Sequence, residues 1–384
     1  MWLASKLRGG EDDASMPQRL PPTLSSRALN RAFLARQLLL RREPCAVEAA
    51  LEHLVGLQAQ APLAPYVGLW SRLAAFRPEA LSRLLESHAA VRTPLLRTTL
   101  HLVTRRDARA LRPLLQPVLE RGFASGSPFG RRLAGVDLAP VLALGRRLVE
   151  EAPRTVVELG RLLRERWPRR DGEAMAQAVR YLLPLVQVPP RGLWGQGGPA
   201  AWTTLSAWVP GPAKAAPATP ERLVRRYLRA FGPASVKDAE HWSWLRPLGA
   251  AMERLRPRLR VFRDAGGREL FDLPEAPRPD PETPAPPRLL PEFDNALLSH
   301  HDRARIIAEA HRTRVFTRGA ALVDGFVCGA WTIERRGKAA ALRLELFRRL
   351  APREREALCE EAARLLAFAA PEASKGAGRI ELLE

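Results

Sequence analysis

The stretch PRTVVELGRLLRERWPRRDGEAMAQAVRYLLPLVQVPPRGLWGQGGPAAWTTL, residues 153–205, decides the architecture. Thr155 and Glu158 stand three apart just after Pro153. That is capping-box spacing, in which the hydroxyl takes a free N–H at the helix start and the carboxylate binds back. A helix to about Trp167 follows. Asp171 then opens another, with Met175, Val179, Leu182 and Leu183 at helical spacing. Leu185 to Val188 and Ala201 to Leu205 flank the glycine-rich Arg191–Gly198 and read as a strand hairpin. An apolar-periodic helix over Leu138–Glu150 comes before, so the unit is three helices and a hairpin. This is the order of a winged helix, whose third helix commonly enters a major groove while the hairpin touches an adjacent groove or the backbone.

The pattern recurs on both sides. Downstream, a helix over Glu221–Phe231 is broken by Gly232 and Pro233, and Ser235-Val-Lys-Asp238 is a second capping-box-like start. Helices through Trp244 and from about Pro247 lead to a hairpin made of Leu259–Phe262 and Glu269–Leu273. Upstream, helices are expected over Ser26–Arg41, from Cys45 with Glu48 at the third position, and over Pro78–Ser87, followed by an extended run, Val91–Val103. The last part of the chain differs. Asp324-Gly325 turns between apolar strands, Ala340–Phe347 alternates as a further strand, and Arg353–Ala369 is an amphipathic helix with Leu358, Ala362, Leu365 and Leu366 on one face. Gly211–Pro220 and the proline-rich Pro274–Pro287 read as linkers, and Gly122–Gly130 as a break. The expected fold is α+β. Three tandem winged-helix domains, at 21–128, 129–214 and 215–275, are followed by a small β-rich C-terminal domain at 276–384. Residues 1–20 read as an unstructured leader, with Met16 a candidate start.

The chain has 384 residues, 46% hydrophobic and 27% charged, a composition typical of folded domains. It contains no run of ~18 uncharged apolar residues that would cross a membrane, and Met1–Asp13 lacks a signal-peptide pattern. Cys45, Cys328 and Cys359 lie far apart with no CxxC, which argues against a disulfide framework and fits a reducing cytoplasm. His300 and His301 are adjacent and point apart on regular structure. No metal site and no cofactor are expected. The 61 Lys and Arg against 41 Asp and Glu leave a net charge of +20, which favours a polyanionic partner. Codon bias accounts for arginine in place of lysine, but not for the shortage of acid. No lysine-bearing phosphate loop, GxSxG or HExxH occurs.

Three segments could carry chemistry. In Gly56-Leu-Gln58-Ala-Gln60-Ala-Pro62, the preceding helix is expected to stop at Gly56, and Pro62 and Pro65 favour extended chain. Residues i and i+2 of an extended chain face the same way, so Gln58 and Gln60 project together. The plain alternative is a polar loop bonded to its own backbone. In Arg92-Thr-Pro-Leu-Leu-Arg97-Thr-Thr-Leu-His101, a wing would present Arg97 and His101 to phosphate; otherwise this is a buried-face strand with His101 satisfied locally. Leu290-Pro-Glu-Phe-Asp294, then His300-His301-Asp302-Arg303, gathers acidic and basic groups that either hold a domain junction or take part in catalysis.

Together these segments resemble the winged-helix DNA glycosylases of the AlkZ type. The resemblance rests on the QAQ segment after Phe33-Leu-Ala-Arg-Gln37, on Arg97–Val103, on the Pro190-Arg-Gly-Leu-Trp-Gly195 wing, on Tyr227–Pro233, on Leu290–Asp294 and on Leu322-Val-Asp-Gly325. It spans about residue 23 to the C-terminus. It implies tandem winged helices and a β-rich domain wrapping double-stranded DNA. It also implies excision of N-alkylated purines, including the unhooking of interstrand crosslinks. Carried onto this chain, Gln58 and Gln60 are the catalytic pair, and Arg97, His101, Arg191 and Arg303 are DNA-binding. His300-His301-Asp302-Arg303 stands where the family usually has an aromatic-basic-Asp-Arg segment, and residues 1–20 have no counterpart. Tandem units in one chain predict a monomer acting at the nucleoid in the cytoplasm. The alternatives are a non-catalytic winged-helix DNA-binding regulator and a basic scaffold for RNA or a protein partner.

Overall fold

A computed structural model describes residues 21–211, 217–337, 339–374 and 378–383. The expected leader lies outside these residues, as does residue range 212–216 of the first linker. Helices and strands are mixed along the chain. β1 (Thr23–Leu24) leads into α1 (Ser26–Arg36), where Ser25 Oγ accepts the Ala28 N–H at 3.1 Å. α1 stops short of the expected Arg41 because Leu38 turns to φ +57° and the Gln37 amide donates to the Ala230 carbonyl at 2.6 Å. α2 (Val47–His53) and β2 (Leu57–Gln58) follow. α3 (Ala64–Arg72) departs from the expected extended chain: Pro65 sits in its first turn, where a missing N–H leaves no bond unmade. After α4 (Pro78–Glu86), the expected extended run Val91–Val103 reverses at Leu96–Thr98 and pairs with itself as β3 (Ala90–Pro94) and β4 (Leu100–Thr104). α5 (Arg105–Ala124) has no counterpart in the sequence reading. It carries Pro113 and Pro117 internally and is capped by Thr104, whose Oγ1 accepts the Asp107 N–H at 3.2 Å.

The next two stretches follow their helix-start chemistry. α6 (Pro128–Arg132), α7 (Ala139–Glu151), β5 (Arg154–Thr155), α8 (Val156–Arg166) and α9 (Gly172–Leu182) precede β6 (Leu185–Gln187), β7 (Ala201–Thr204) and α10 (Leu205–Trp208). Both halves of the Thr155 box form: its N–H donates to Glu158 Oε2 at 2.8 Å and its Oγ1 accepts the Glu158 N–H at 3.1 Å. Asp171 caps α9 through the Ala174 N–H at 3.0 Å. α11 (Pro220–Phe231), α12 (Val236–Ser243), α13 (Gly249–Leu255), β8 (Arg260–Asp264) and β9 (Glu269–Asp272) come next, with the Ser235–Asp238 box also closed in both directions. The last stretch contains β10 (Arg288–Leu290), α14 (Asn295–Leu298), β11 (Gly319–Val323), β12 (Phe326–Arg336), β13 (Ala339–Leu346), α15 (Pro352–Ala369), α16 (Pro371–Ser374) and β14 (Gly378–Leu383).

The sheets join stretches that are distant in sequence. β2, β4, β3, β6, β7 and β5 make one six-stranded sheet in that order, so the first two hairpins are edge-joined where Arg92 meets Gln187. β1 pairs parallel to β8, with Thr23 opposite Arg263. β10 to β14 form a five-stranded sheet in sequence order, packed against α15. The largest buried cluster draws Phe33, Val91, Val186, Tyr227, Trp242 and Leu322 from all four stretches.

Buried guanidinium–carboxylate pairs hold these stretches together. Arg36 bonds Asp272 at 2.6 and 2.8 Å, and Arg72 bonds Asp294 at 2.8 and 2.7 Å; all four side chains are buried. Removing one partner of such a pair strands a charge in low dielectric and costs about 3–5 kcal/mol, whereas replacing both with apolar groups is often neutral. Asp294→Leu is therefore expected to lower the urea-unfolding free energy by about 3–5 kcal/mol, and Arg72→Met added to it to restore most of the loss. A double variant no more stable than the single one would rule out an uncompensated charge as the cause.

Candidate active site

The chain reaches the glutamine pair through a backbone reversal after α2. Val55 has φ +56° and Gly56 φ +84°, and the Gly56 N–H donates to the Leu51 carbonyl at 2.8 Å. A Cβ at Gly56 would overlap Val103 Cγ1 and stand 2.8 Å from the Leu102 carbonyl oxygen. Glycine thus permits both the left-handed turn and the close approach of β2 to β4. Leu57 pairs with Leu102 and Gln58 with His101, and the Ala59 N–H donates to the Leu100 carbonyl at 2.7 Å. Side chains of this extended segment alternate. Leu57 and Ala59 enter an apolar cluster with Leu51 and Tyr66, while Gln58 is 7% exposed and Gln60 is exposed. Both amides reach the same turn. Gln58 Oε1 accepts from Arg97 Nη2 at 2.8 Å, and Gln60 Oε1 accepts the Leu100 N–H at 3.4 Å.

That turn is strained. Arg97 (φ +54°) and Thr98 (φ +60°) are consecutive non-glycine residues in the left-handed region, at a cost of about 1–3 kcal/mol each. The Leu95 N–H to Thr99 carbonyl bond at 3.0 Å and the Thr99 N–H to Leu96 carbonyl bond at 3.1 Å hold it. The reversal turns Arg97 inward. Its guanidinium donates to the Trp242 carbonyl at 2.7 Å, to Gln58 Oε1 at 2.8 Å and to Asn295 Oδ1 at 2.9 Å. Asn295 Nδ2 donates to the Gly56 carbonyl at 3.2 Å, closing a ring around Gln58. The three acceptors are all neutral. Burial, and then the nearby Arg303, bring the Arg97 pKa down to about 10, so it stays a cation at neutral pH.

The expected phosphate-facing roles of Arg97 and His101 give way to interior ones. Arg97 has its donors turned to protein acceptors, Gln58 among them. His101 is fully buried, and its Nδ1 lies 3.0 Å from the Thr99 carbonyl, which makes Nδ1 the protonated nitrogen; Nε2 has no hydrogen-bond partner among the described residues. Burial first, then Arg97, lower its pKa to about 3. Arg303 is half-buried beside this group, its Nη2 3.5 Å from His241 Nε2. Burial, with Arg303 and Arg97 next, takes His241 to about 4. Arg191 is half-buried and donates to the Gly198 carbonyl at 3.1 Å across the glycine-rich turn. His300 is buried and bonded to Ser299 and to the Phe231 carbonyl, whereas Asp302 is partly exposed and pairs with Arg268 at 2.7 Å.

Three further residues of the site did not stand out in the sequence: Asn295, His241 and Arg92. Arg92 Nη2 donates to the Ala59 carbonyl at 2.8 Å and Nη1 to the Arg191 carbonyl at 3.1 Å, tying the glycine-rich turn to the peptide between the two glutamines. Gly192 makes room, since a Cβ there would lie 2.8 Å from Arg92 Cδ. Arg92 and Asn295 do lie within or beside quoted segments, but nothing in their spacing announces the contacts.

Residues 51–368 match the family model described as DNA glycosylase AlkZ-like, a span that contains the glutamine pair and every residue of the ring around it. The class is that of the DNA glycosylases, hydrolases that serve DNA repair. The chain belongs to the AlkZ-like DNA glycosylase family. Its fold is similar to that of the Streptomyces sahachiroi DNA glycosylase AlkZ, with a TM-score of 0.70 and 20% identity over 94% of this chain and 100% of that one. A comparison with curated proteins finds no match. Among the described residues no helix is long and apolar enough to cross a membrane.

Buried neutral histidines make stability depend on pH. His101 and His300 titrate near 3 in the folded chain, both through burial first, against about 6.5 when unfolded. Below about pH 6.5 the unfolded chain takes up protons that the folded chain does not, so stability falls as pH drops. Between pH 7 and about pH 5 each histidine is expected to remove on the order of 2 kcal/mol. Urea unfolding at the two pH values checks this, with His101→Asn reducing the drop by one histidine's share. Equal stability at both values would contradict the neutral burial.

Proposed function

We propose that this DNA glycosylase hydrolyses the N-glycosidic bond of cationic N-alkylated purines in double-stranded DNA, with Gln58 and Gln60 at the reacting centre. The reading is carried by one observation: both amides are held against the same turn, Arg97–Leu100, while Ala59 between them points into the core. Carboxamides do not exchange protons as acids and bases, which restricts the substrate. An N7- or N3-alkylated purine already carries positive charge and leaves as a neutral base, so no proton donor is required. A water must be placed and a developing cationic sugar stabilised, and positioned dipoles can do both.

The surroundings suggest which amide does which. Gln58 Oε1 accepts from a guanidinium but keeps a second lone pair, enough to orient a water. Next to Arg97 it is a poor neighbour for a second cation. Gln60 is exposed, its oxygen held only by a 3.4 Å contact, and it is the better group to face the sugar. This division needs Arg97 as a positioning residue. An exposed Gln60 also suits a base that cannot swing out of the stack, so interstrand crosslinks fall within the proposed substrate range. We read the enzyme as monofunctional, with water rather than an amine as the nucleophile. In this reading the three helix-and-hairpin stretches are winged-helix units that hold the duplex, Arg191 and Arg303 contact it, and the chain works as a monomer at the nucleoid. The family assignment leaves the non-catalytic regulator without an observation in its favour.

A duplex carrying N7-methylguanine, treated with alkali to reveal abasic sites, tests the proposal. The wild-type chain is expected to release the alkylated base and to leave uracil in DNA untouched. Gln58→Ala combined with Gln60→Ala is expected to slow release by about 100-fold or more. Cleavage by the double variant at the wild-type rate would sink the assignment.

A further inference from the structure

A hollow of about 1080 Å³ lies between the outer face of α11, the ends of α2 and α5, and α13. Neither glutamine lines it. Gln58 pairs with His101 on β4, and Arg106, in the first turn of α5, lines the groove five residues further on. The groove thus opens at the α5 end of β4, away from the turn that holds the glutamine pair.

Its charges do not balance. Glu52, Asp107 and Glu221 are the carboxylates on its wall, and each is already engaged. Asp107 takes both Arg226 nitrogens, at 2.5 and 2.6 Å; Glu221 takes Arg254 at 2.5 Å; and Glu52 lies 3.6 Å from Arg106. Arg222, Arg225, Arg229 and Arg258 remain, all exposed and lining the groove, with no carboxylate left on its wall for them. Three of them stand on α11 at spacings of three and four residues, an arrangement of like charges that works against the helix. The opposite face of α11 is apolar (Leu223, Val224, Tyr227, Leu228, Phe231) and fully packed, so the helix is held by its inner face and its outer face is a row of unneutralised guanidinium groups.

We infer that this groove is a second nucleic-acid site, a track for the phosphate backbone of the duplex arm beside the lesion. Steps of three and four residues along a helix are about 4.5 and 6 Å, comparable with the spacing of duplex phosphates, one per ~3.4 Å of axis on each strand. Guanidinium forks suit phosphate oxygens, and a row of them along one helix follows a backbone of repeating charge. The inference rests on the reading of the chain as acting on duplex DNA, but not on the chemistry at Gln58.

The test is the affinity of the full chain for an undamaged duplex of about two helical turns, measured from about 50 to 200 mM salt. Arg222→Ala, Arg225→Ala and Arg229→Ala together are expected to weaken binding and to flatten the plot of log affinity against log salt by about 0.9 for each arginine removed. Arg225→Ala or Arg229→Ala alone should remove about 0.9, which keeps the test open if the triple variant folds poorly. A control triple, Arg349→Ala, Arg353→Ala and Arg355→Ala near the start of α15, matches the charge change outside the groove. An unchanged slope in the groove variants overturns the inference, and so does an equal fall in the control, which would mean net charge alone. Because the duplex is undamaged, failure here is distinct from failure to release N7-methylguanine.

Discussion

A buried guanidinium without a carboxylate sets the geometry of the site. Arg97 is committed to three neutral oxygens, one each from β2, the end of α12 and the start of α14. A desolvated cation without partners would be costly, so these acceptors cannot drift apart without exposing it. The left-handed backbone at Arg97 and Thr98 is the local cost of aiming it inward. A carboxylate in place of Gln58 would neutralise the cation and lose the amide; a hydrophobic residue would strand the cation. The requirement for a neutral acceptor at this position follows from the guanidinium as much as from the substrate.

Buried arginines recur through the molecule as cross-links, elsewhere with carboxylates as well as neutral oxygens for partners. Arg36, Arg72 and Arg305 are buried arginines that cross from one stretch of chain to another, to Asp272, Asp294 and the Pro233 carbonyl. The arginine excess of this chain therefore has two destinations. Part of it is interior, where a planar fork with five donors satisfies several acceptors at once. The rest lies on the surface, where it gives the net charge. Composition alone does not separate the two, and this is why Arg97 looked like a phosphate contact in the sequence.

Features that depend on a few neighbouring residues were legible. The Thr155–Glu158 and Ser235–Asp238 boxes, the Asp171 cap, the Asp324-Gly325 turn and the extended QAQ segment are all local chemistry. What the sequence hid was either contradictory locally or non-local. Pro65 favours both an extended chain before it and a helix starting at it, and tertiary burial of Tyr66 and Leu69 decides for α3. Pro113 and Pro117 disguise α5, whose apolar face packs through Leu111, Leu115 and Val118. Edge-joining of two hairpins at Arg92 and Gln187 leaves no local trace, nor does the ring through Asn295. The positions of the two glutamines could be read from the chain, whereas what holds them could not.

One pairing bears on how the protein comes off the ribosome. β1 has no partner within its own stretch and hydrogen-bonds to β8, 240 residues downstream. At a synthesis rate of ~5–20 residues per second, its partner emerges roughly 12 to 48 s later. Through that interval α1, which follows directly, has part of its apolar surface uncovered, since Leu29 packs against Phe262 and Leu270. Assembly cannot proceed simply from the amino end. β1 and the exposed side of α1 must wait for the third stretch before they are covered, like a clasp left open until its catch arrives.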